Sequence, residues 1–264
     1  MLYVEVRDTT LGYRSRGTGD LAVFVHGFPL DHRLWLDQLD ALQDLRRCVA
    51  PDLRGSGRSD AVVSRALTME QLADDLAELI EALGHASADI VSLSMGGYAA
   101  LALWERHPGR VRSLVLMDTR PGADTEAGRA ARRETAERVA DEGSGFLVAD
   151  MLSALLSPGV GLTARVRLRG MIEATTPETI AATLQGMAQR ADRTEILSSI
   201  TVPALVVVGE DDGLTPPDVA AHMAELIPQA ELVVIPGAGH LPPIETPEAV
   251  NESLRAFWGK LAQS

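Results

Sequence analysis

Two serines, Ser92 and Ser94, stand two residues apart in the segment SLSMGG, at the end of the apolar run ADIVSL. A serine hydroxyl becomes a nucleophile only beside a base, and the base works only when a third group orients it. Of the six histidines, His240 alone follows the last apolar run, in a turn with Gly237 and Gly239. His107 precedes Pro108 at a helix end and reads as a cap. His85 and His222 lie on or beside helices, His32 begins one, and His26 reads as an imidazole bonded to nearby backbone. For the acid, GEDDGLTPP offers Glu210, Asp211 and Asp212. Asp212 reaches furthest from the preceding strand and is followed by Gly213. The rival is Asp118, at the end of VRSLVLMD.

These groups need elements that bring them together. LYVEVR and TLGYR read as two strands joined at Asp8 and Thr9. LAVFV, RRCVAP, ADIVSL, VRSLVLM, ALVVV and ELVVI are short apolar runs, the pattern of strands buried on both faces. Between them run segments of helical spacing. One is TMEQLADDLAELIEALG, with Thr68 as cap, Gln71 three residues on and Gly84 as stop. Alternation of this kind specifies an α/β fold: a mostly parallel central sheet of about eight strands flanked by helices. Residues 120–197 hold no strand-like run and break at Gly143, Gly145, Pro158, Gly161 and Pro177. They are expected to form a helical cap, inserted in a core made of residues 1–119 and 198–264. Ligands of such sheets sit at the carboxyl ends of the strands, where Ser94, Asp118, Asp212 and His240 all fall.

The strand-to-helix turn chooses between the serines. A nucleophile on that turn needs small residues two before and two after it. Around Ser94 these are Ser92 and Gly96; around Ser92 they would be Ile90 and Ser94. Ser94 is therefore the candidate. An oxyanion developing on its substrate needs two backbone N–H donors. Met95 supplies one, at a helix N-terminus that favours negative charge. HGFP supplies the other through Phe28, because Pro29 has no N–H.

A net charge of −13 argues against a nucleic-acid partner or an anionic membrane surface. No apolar run approaches the ~20 residues that span a bilayer. The N-terminal MLYVEVRD has no apolar signal-peptide core, and the single Cys48 makes no intramolecular disulfide. Together these point to a cytoplasmic protein. Gly55 and Gly57 in DLRGSGRSD do not make a dinucleotide fingerprint, since position 60 is Asp60.

HGFP, DLRGSGRS, SLSMGG, GEDDGLTPP and PGAGHLPPIETPEAV, in that order, resemble the α/β-hydrolase superfamily over nearly the whole chain. The order Ser94, Asp212, His240 is that of its triad. The resemblance is to the serine branch. Epoxide hydrolases use an aspartate nucleophile and two cap tyrosines, whereas the tyrosines here are Tyr3, Tyr13 and Tyr98, none in the cap. The missing first glycine of G-x-S-x-G is the main departure. The resemblance implies an ester or lactone hydrolase of the carboxylesterase or enol-lactonase kind, acting on a small-molecule ester or lactone with no metal or organic cofactor. Its alternatives on the same triad are C–C bond hydrolysis and cofactor-free haloperoxidase or perhydrolase chemistry. A ligand-binding receptor with low turnover is a further alternative.

For the substrate pocket, the cap offers Phe146, Met151, Leu155 and Met187, and the turn after the last strand offers Leu241. This set implies small, neutral, mainly aliphatic acyl groups. Among the cap arginines, Arg165 to Arg169 read as a solvated run. Arg190 and Arg193 are the ones that could instead select a carboxylate.

Overall fold

The computed structural model describes residues 1–261. Its centre is an eight-stranded sheet: β1 (Leu2–Val6), β2 (Thr9–Arg16), β3 (Leu21–Val25), β4 (Arg47–Pro51), β5 (Ala88–Leu93), β6 (Val111–Met117), β7 (Ala204–Gly209) and β8 (Ala230–Ile235). The spatial order is β1-β2-β4-β3-β5-β6-β7-β8. β2 is antiparallel to β1 and to β4, and every other pairing is parallel.

Strands β3, β5 and β7 are buried along their whole length, and β6 at every position but Arg112, as near-continuous apolar runs require. Their side chains alternate between two cores. Val23 and Val25 face one, which packs under helices α2 (Met69–Ala82) and α3 (Met95–Arg106). Ala22 and Phe24 face the other, with α1 (Leu36–Leu42). There Phe24 meets Trp35 at 5.5 Å and Trp258 at 6.4 Å between ring centroids. The Thr68 hydroxyl accepts from the Gln71 N–H at 3.2 Å, and Gly84 takes a φ of +85° just beyond the α2 end.

Between β6 and β7 the chain contains no strand. It forms α4 (Glu126–Glu142), α5 (Gly145–Leu155), α6 (Leu162–Ala174) and α7 (Pro177–Ala188). Helices α8 (Pro217–Leu226), α9 (Pro242–Glu245) and α10 (Pro247–Leu261) complete the fold. Chain order reverses at β3, with β4 on one side and β5 on the other. The loops leaving β3 and β5 therefore part at a switch point, the place where ligands bind in sheets of this type. Those two loops carry Phe28 and Ser94. Among the described residues no helix is long and apolar enough to cross a membrane.

Candidate active site

Ser94 is the residue between β5 and α3. Its backbone sits at φ 55°, ψ −116°, a positive φ that a non-glycine residue adopts only where its surroundings enforce it. Three contacts do so. The Ser94 N–H donates to Met117 O at 2.9 Å, the Thr119 hydroxyl donates to Ser94 O at 2.7 Å, and the Gly97 N–H donates to Ser94 O at 2.8 Å. The small residues are needed on one side of the turn. A Cβ on Gly96 would stand 2.4 Å from Val25 O, and one on Gly97 2.4 Å from the Thr119 hydroxyl. Ser92 is fully buried inside β5, and its hydroxyl donates to Val115 O at 2.8 Å. It is committed to the sheet.

Ser94 Oγ lies 2.9 Å from His240 Nε2, and His240 Nδ1 lies 2.8 Å from Asp212 Oδ2. His240 and Asp212 are each 2% exposed, so water competes little for these bonds. Asp212 is held from its other side. Its Oδ1 accepts from the Leu214 N–H at 2.8 Å and the Thr215 N–H at 3.1 Å, and the Thr215 hydroxyl donates to Oδ2. Burial alone would raise this carboxyl. The hydrogen bond and charge of His240, with the Thr215 donors, overcome it and hold Asp212 ionised far below the usual carboxylate range. Asp211 is not part of this arrangement: its N–H bonds Ala238 O.

Asp118 lies beside the relay without joining it. One oxygen accepts from the Gly209 N–H at 2.8 Å; the other is buried and has no donor. Donor atoms of Asp118, Asp212 and His240 lie within 4.8 Å of one another. Burial first, and the Asp212 charge second, push the Asp118 carboxyl well above its ordinary value. Two adjacent buried carboxyls thus differ: His240 and Thr215 favour the ionised form at Asp212, while burial and the neighbouring charge disfavour it at Asp118. His26 is the other buried imidazole near the site. It bonds Gly27 O at 2.8 Å and accepts the Leu53 N–H at 3.0 Å, and burial depresses its proton affinity.

A cavity of about 280 Å³ opens onto Ser94 and His240. Three larger clefts elsewhere on the surface reach neither residue. One wall of the cavity is the α5 stripe Leu147, Met151, Ala154 and Leu155. Leu184 and Met187 of α7 and Leu214 add to it. Phe28 lines this cavity and also a narrow cleft shared with Met95. The Phe28 and Met95 N–H groups have no acceptor among the described residues, which leaves both available to an anion.

Two of the five expected pocket residues lie elsewhere. Phe146 precedes Leu147 on α5, and one residue turns a helix by about 100°. Its ring therefore leaves the stripe and packs under the Arg138 guanidinium, 3.8 Å from the ring centroid. Leu241 is fully buried in the α1–α10 core, and its N–H bonds Glu245 Oε1 at 3.0 Å. The arginines also differ from expectation. Arg193 is tied to Glu70 and Glu105. Arg190 pairs with Asp124 and stacks 4.2 Å over Tyr98. The cations that line the cavity are Arg120 and Arg132, which sequence reasoning passed over. Arg120 stands three residues beyond the end of β6, a position that could have marked it.

A family model described as the alpha/beta hydrolase fold matches residues 22–247, and the chain belongs to that family. The malate-bound structure of a thermophilic esterase from Thermogutta terrifontis is 39% identical, with a TM-score of 0.96 over 98% of this chain and 99% of that one. A non-heme chloroperoxidase, CPO-A1, from Kitasatospora aureofaciens is 32% identical over 86% of this chain and 87% of its own length. The 3-oxoadipate enol-lactonase 1 of Acinetobacter baylyi is 31% identical over 89% and 87%.

Proposed function

We propose that the protein is a serine hydrolase of small carboxylic esters or lactones, working through an acyl-enzyme. The observation that carries this reading is the continuous relay from Ser94 Oγ through His240 to Asp212 at the floor of a cavity. His240 Nε2 takes the Ser94 proton as Oγ attacks the acyl carbonyl. Asp212 keeps the other ring nitrogen protonated and stabilises the imidazolium. The Phe28 and Met95 N–H groups receive the oxyanion, and the α3 N-terminus adds its positive end. His240 returns the proton to the leaving alcohol, and water activated by the same imidazole frees the acid. The likeness to an esterase and an enol-lactonase supports the substrate class.

The test is turnover of short p-nitrophenyl esters and simple lactones, with Ser94→Ala as control. A stoichiometric fluorophosphonate label on Ser94 together with turnover supports the reading. A protein that is labelled but releases a single burst of product is a receptor. The likeness to a chloroperoxidase favours a second reading, perhydrolysis of the same acyl-enzyme by hydrogen peroxide. Halide oxidation that requires both peroxide and a carboxylic acid, and exceeds ester hydrolysis, would select it.

A further inference from the structure

The geometry points to a carboxylate-binding subsite formed by Arg120 and Arg132, so that the substrate is a small ester or lactone carrying a second, free carboxylate. This deepens the hydrolase reading and rests on it.

Arg120 is placed by the same contacts that build the nucleophile turn. Its chain neighbour Thr119 donates to Ser94 O, and its own guanidinium donates through Nη2 to Leu214 O, two residues beyond Asp212. It therefore bridges the loops that carry Ser94 and Asp212, and it lines the cavity between them. No carboxylate pairs with it among the described residues, and its buried Nε has no acceptor. An arginine cannot shed its proton to escape burial, so a guanidinium in an apolar cavity wants an anion.

Arg132 enters the same cavity from α4. Its Nε bonds Asp124 at 2.6 Å, but Asp124 is shared with Arg190 Nη1 at 2.7 Å. Two guanidiniums on one carboxylate leave one positive charge over. The only acidic residue on the cavity wall is Asp150, which is exposed and so screened by solvent. The side chains on the cavity wall thus carry two guanidiniums against one exposed carboxylate, in a chain whose net charge is −13. The rest of its wall is mainly aliphatic and cannot recognise charge. A fork of N–H donors recognises a carboxylate better than any other small group. The volume, about 280 Å³, sits at the lower edge of small-molecule sites. It suits a compact hemi-ester or carboxylated lactone.

The experiment compares kcat/KM for monomethyl glutarate and methyl pentanoate, similar in length and differing in the free carboxylate. The anionic ester should be preferred by about tenfold or more, and Arg120→Gln should lower that ratio roughly 10–100-fold, the worth of one charge-assisted hydrogen bond. Arg120→Lys should restore part of it, and Arg255→Gln, a surface arginine paired with Asp44, should leave it unchanged. Glutarate binding is measured by calorimetry in parallel. If both esters turn over but the ratio favours the neutral one, or ignores Arg120, the subsite is refuted and the hydrolase reading stands. If neither ester turns over yet glutarate binds in an Arg120-dependent way, the subsite stands and the hydrolase reading fails.

Discussion

Asp212→Asn tests the relay most sharply, because the structure dictates how the asparagine will sit. Asp212 Oδ1 accepts two backbone N–H groups, from Leu214 and Thr215, so that position must remain an oxygen. The amide NH2 is then forced to the Oδ2 position, 2.8 Å from His240 Nδ1. An NH2 there is a donor, and it stabilises the tautomer in which Nδ1 is the acceptor. The ring proton moves to Nε2 and points at Ser94 Oγ, 2.9 Å away. That imidazole cannot take the serine proton. The loss in kcat should be about 10⁴-fold, equivalent to roughly 5.5 kcal/mol at 1.36 kcal/mol per decade. Asp118→Asn should behave differently. Its amide oxygen can still accept the Gly209 N–H, and a neutral amide replaces a group whose ionisation burial and the Asp212 charge disfavour. Its loss should stay within about tenfold. The assay is steady-state hydrolysis of p-nitrophenyl butyrate at pH 7–8, with thermal melts to confirm folding. A loss under tenfold at Asp212, or a larger loss at Asp118, would show that the acid has been assigned to the wrong carboxylate.

Ser94→Ala should reduce kcat by about 10⁵-fold or more, leaving Tm nearly unchanged. Ser92→Ala should keep most activity and lose about 1 kcal/mol, since its buried hydroxyl bonds Val115 O; equal loss of activity at both would undo the choice of nucleophile. Gly96→Ala puts a Cβ 2.4 Å from Val25 O, a backbone atom that cannot step aside. It should cost about 3 kcal/mol, readable as a lower urea midpoint, and an unchanged midpoint would mean that the turn tolerates bulk. Asp118 also leaves a pH signature. Its folded-state pKa is raised, so the folded protein binds a proton that the unfolded chain releases above about pH 4. Stability from this group is present below the unfolded pKa and is lost as pH rises toward the folded one. Asp118→Asn should therefore melt above the wild type at pH 8, and the gap should close as pH falls toward 4. A gap that widens on acidification would mean that Asp118 is ionised in the native state.

Much of the architecture was legible because it depends on local patterns. Apolar runs of five to seven residues buried on both faces, and amphipathic spacing with Thr68 and Gly84 at its ends, mark strands and helices wherever they occur. The distinction between Ser94 and Ser92 was also local, since it turns on which residue has small neighbours at ±2. Pocket membership was harder to read. Phe146 and Met151 are both apolar residues on one helix, and only the way α5 is turned against its neighbours decides that Met151 faces the cavity. The arginines show the same limit. Arg120, Arg132, Arg190 and Arg193 are chemically identical, and what separates them is which carboxylates other elements bring within reach.

The sequence by itself determined the α/β alternation, the strand ends and the residue types available there, because burial, capping and turn geometry act over a few neighbouring residues. It preferred Asp212 to its rival Asp118 from its place in the loop and from the resemblance, but could not say how either carboxyl is held. The tertiary structure decided that. It set Asp212 against His240 and Thr215, and it closed Asp118 into a dry site beside a charge already present. Which carboxylate keeps its proton is a property of the whole local field, and that field exists only once elements distant in the chain have packed together.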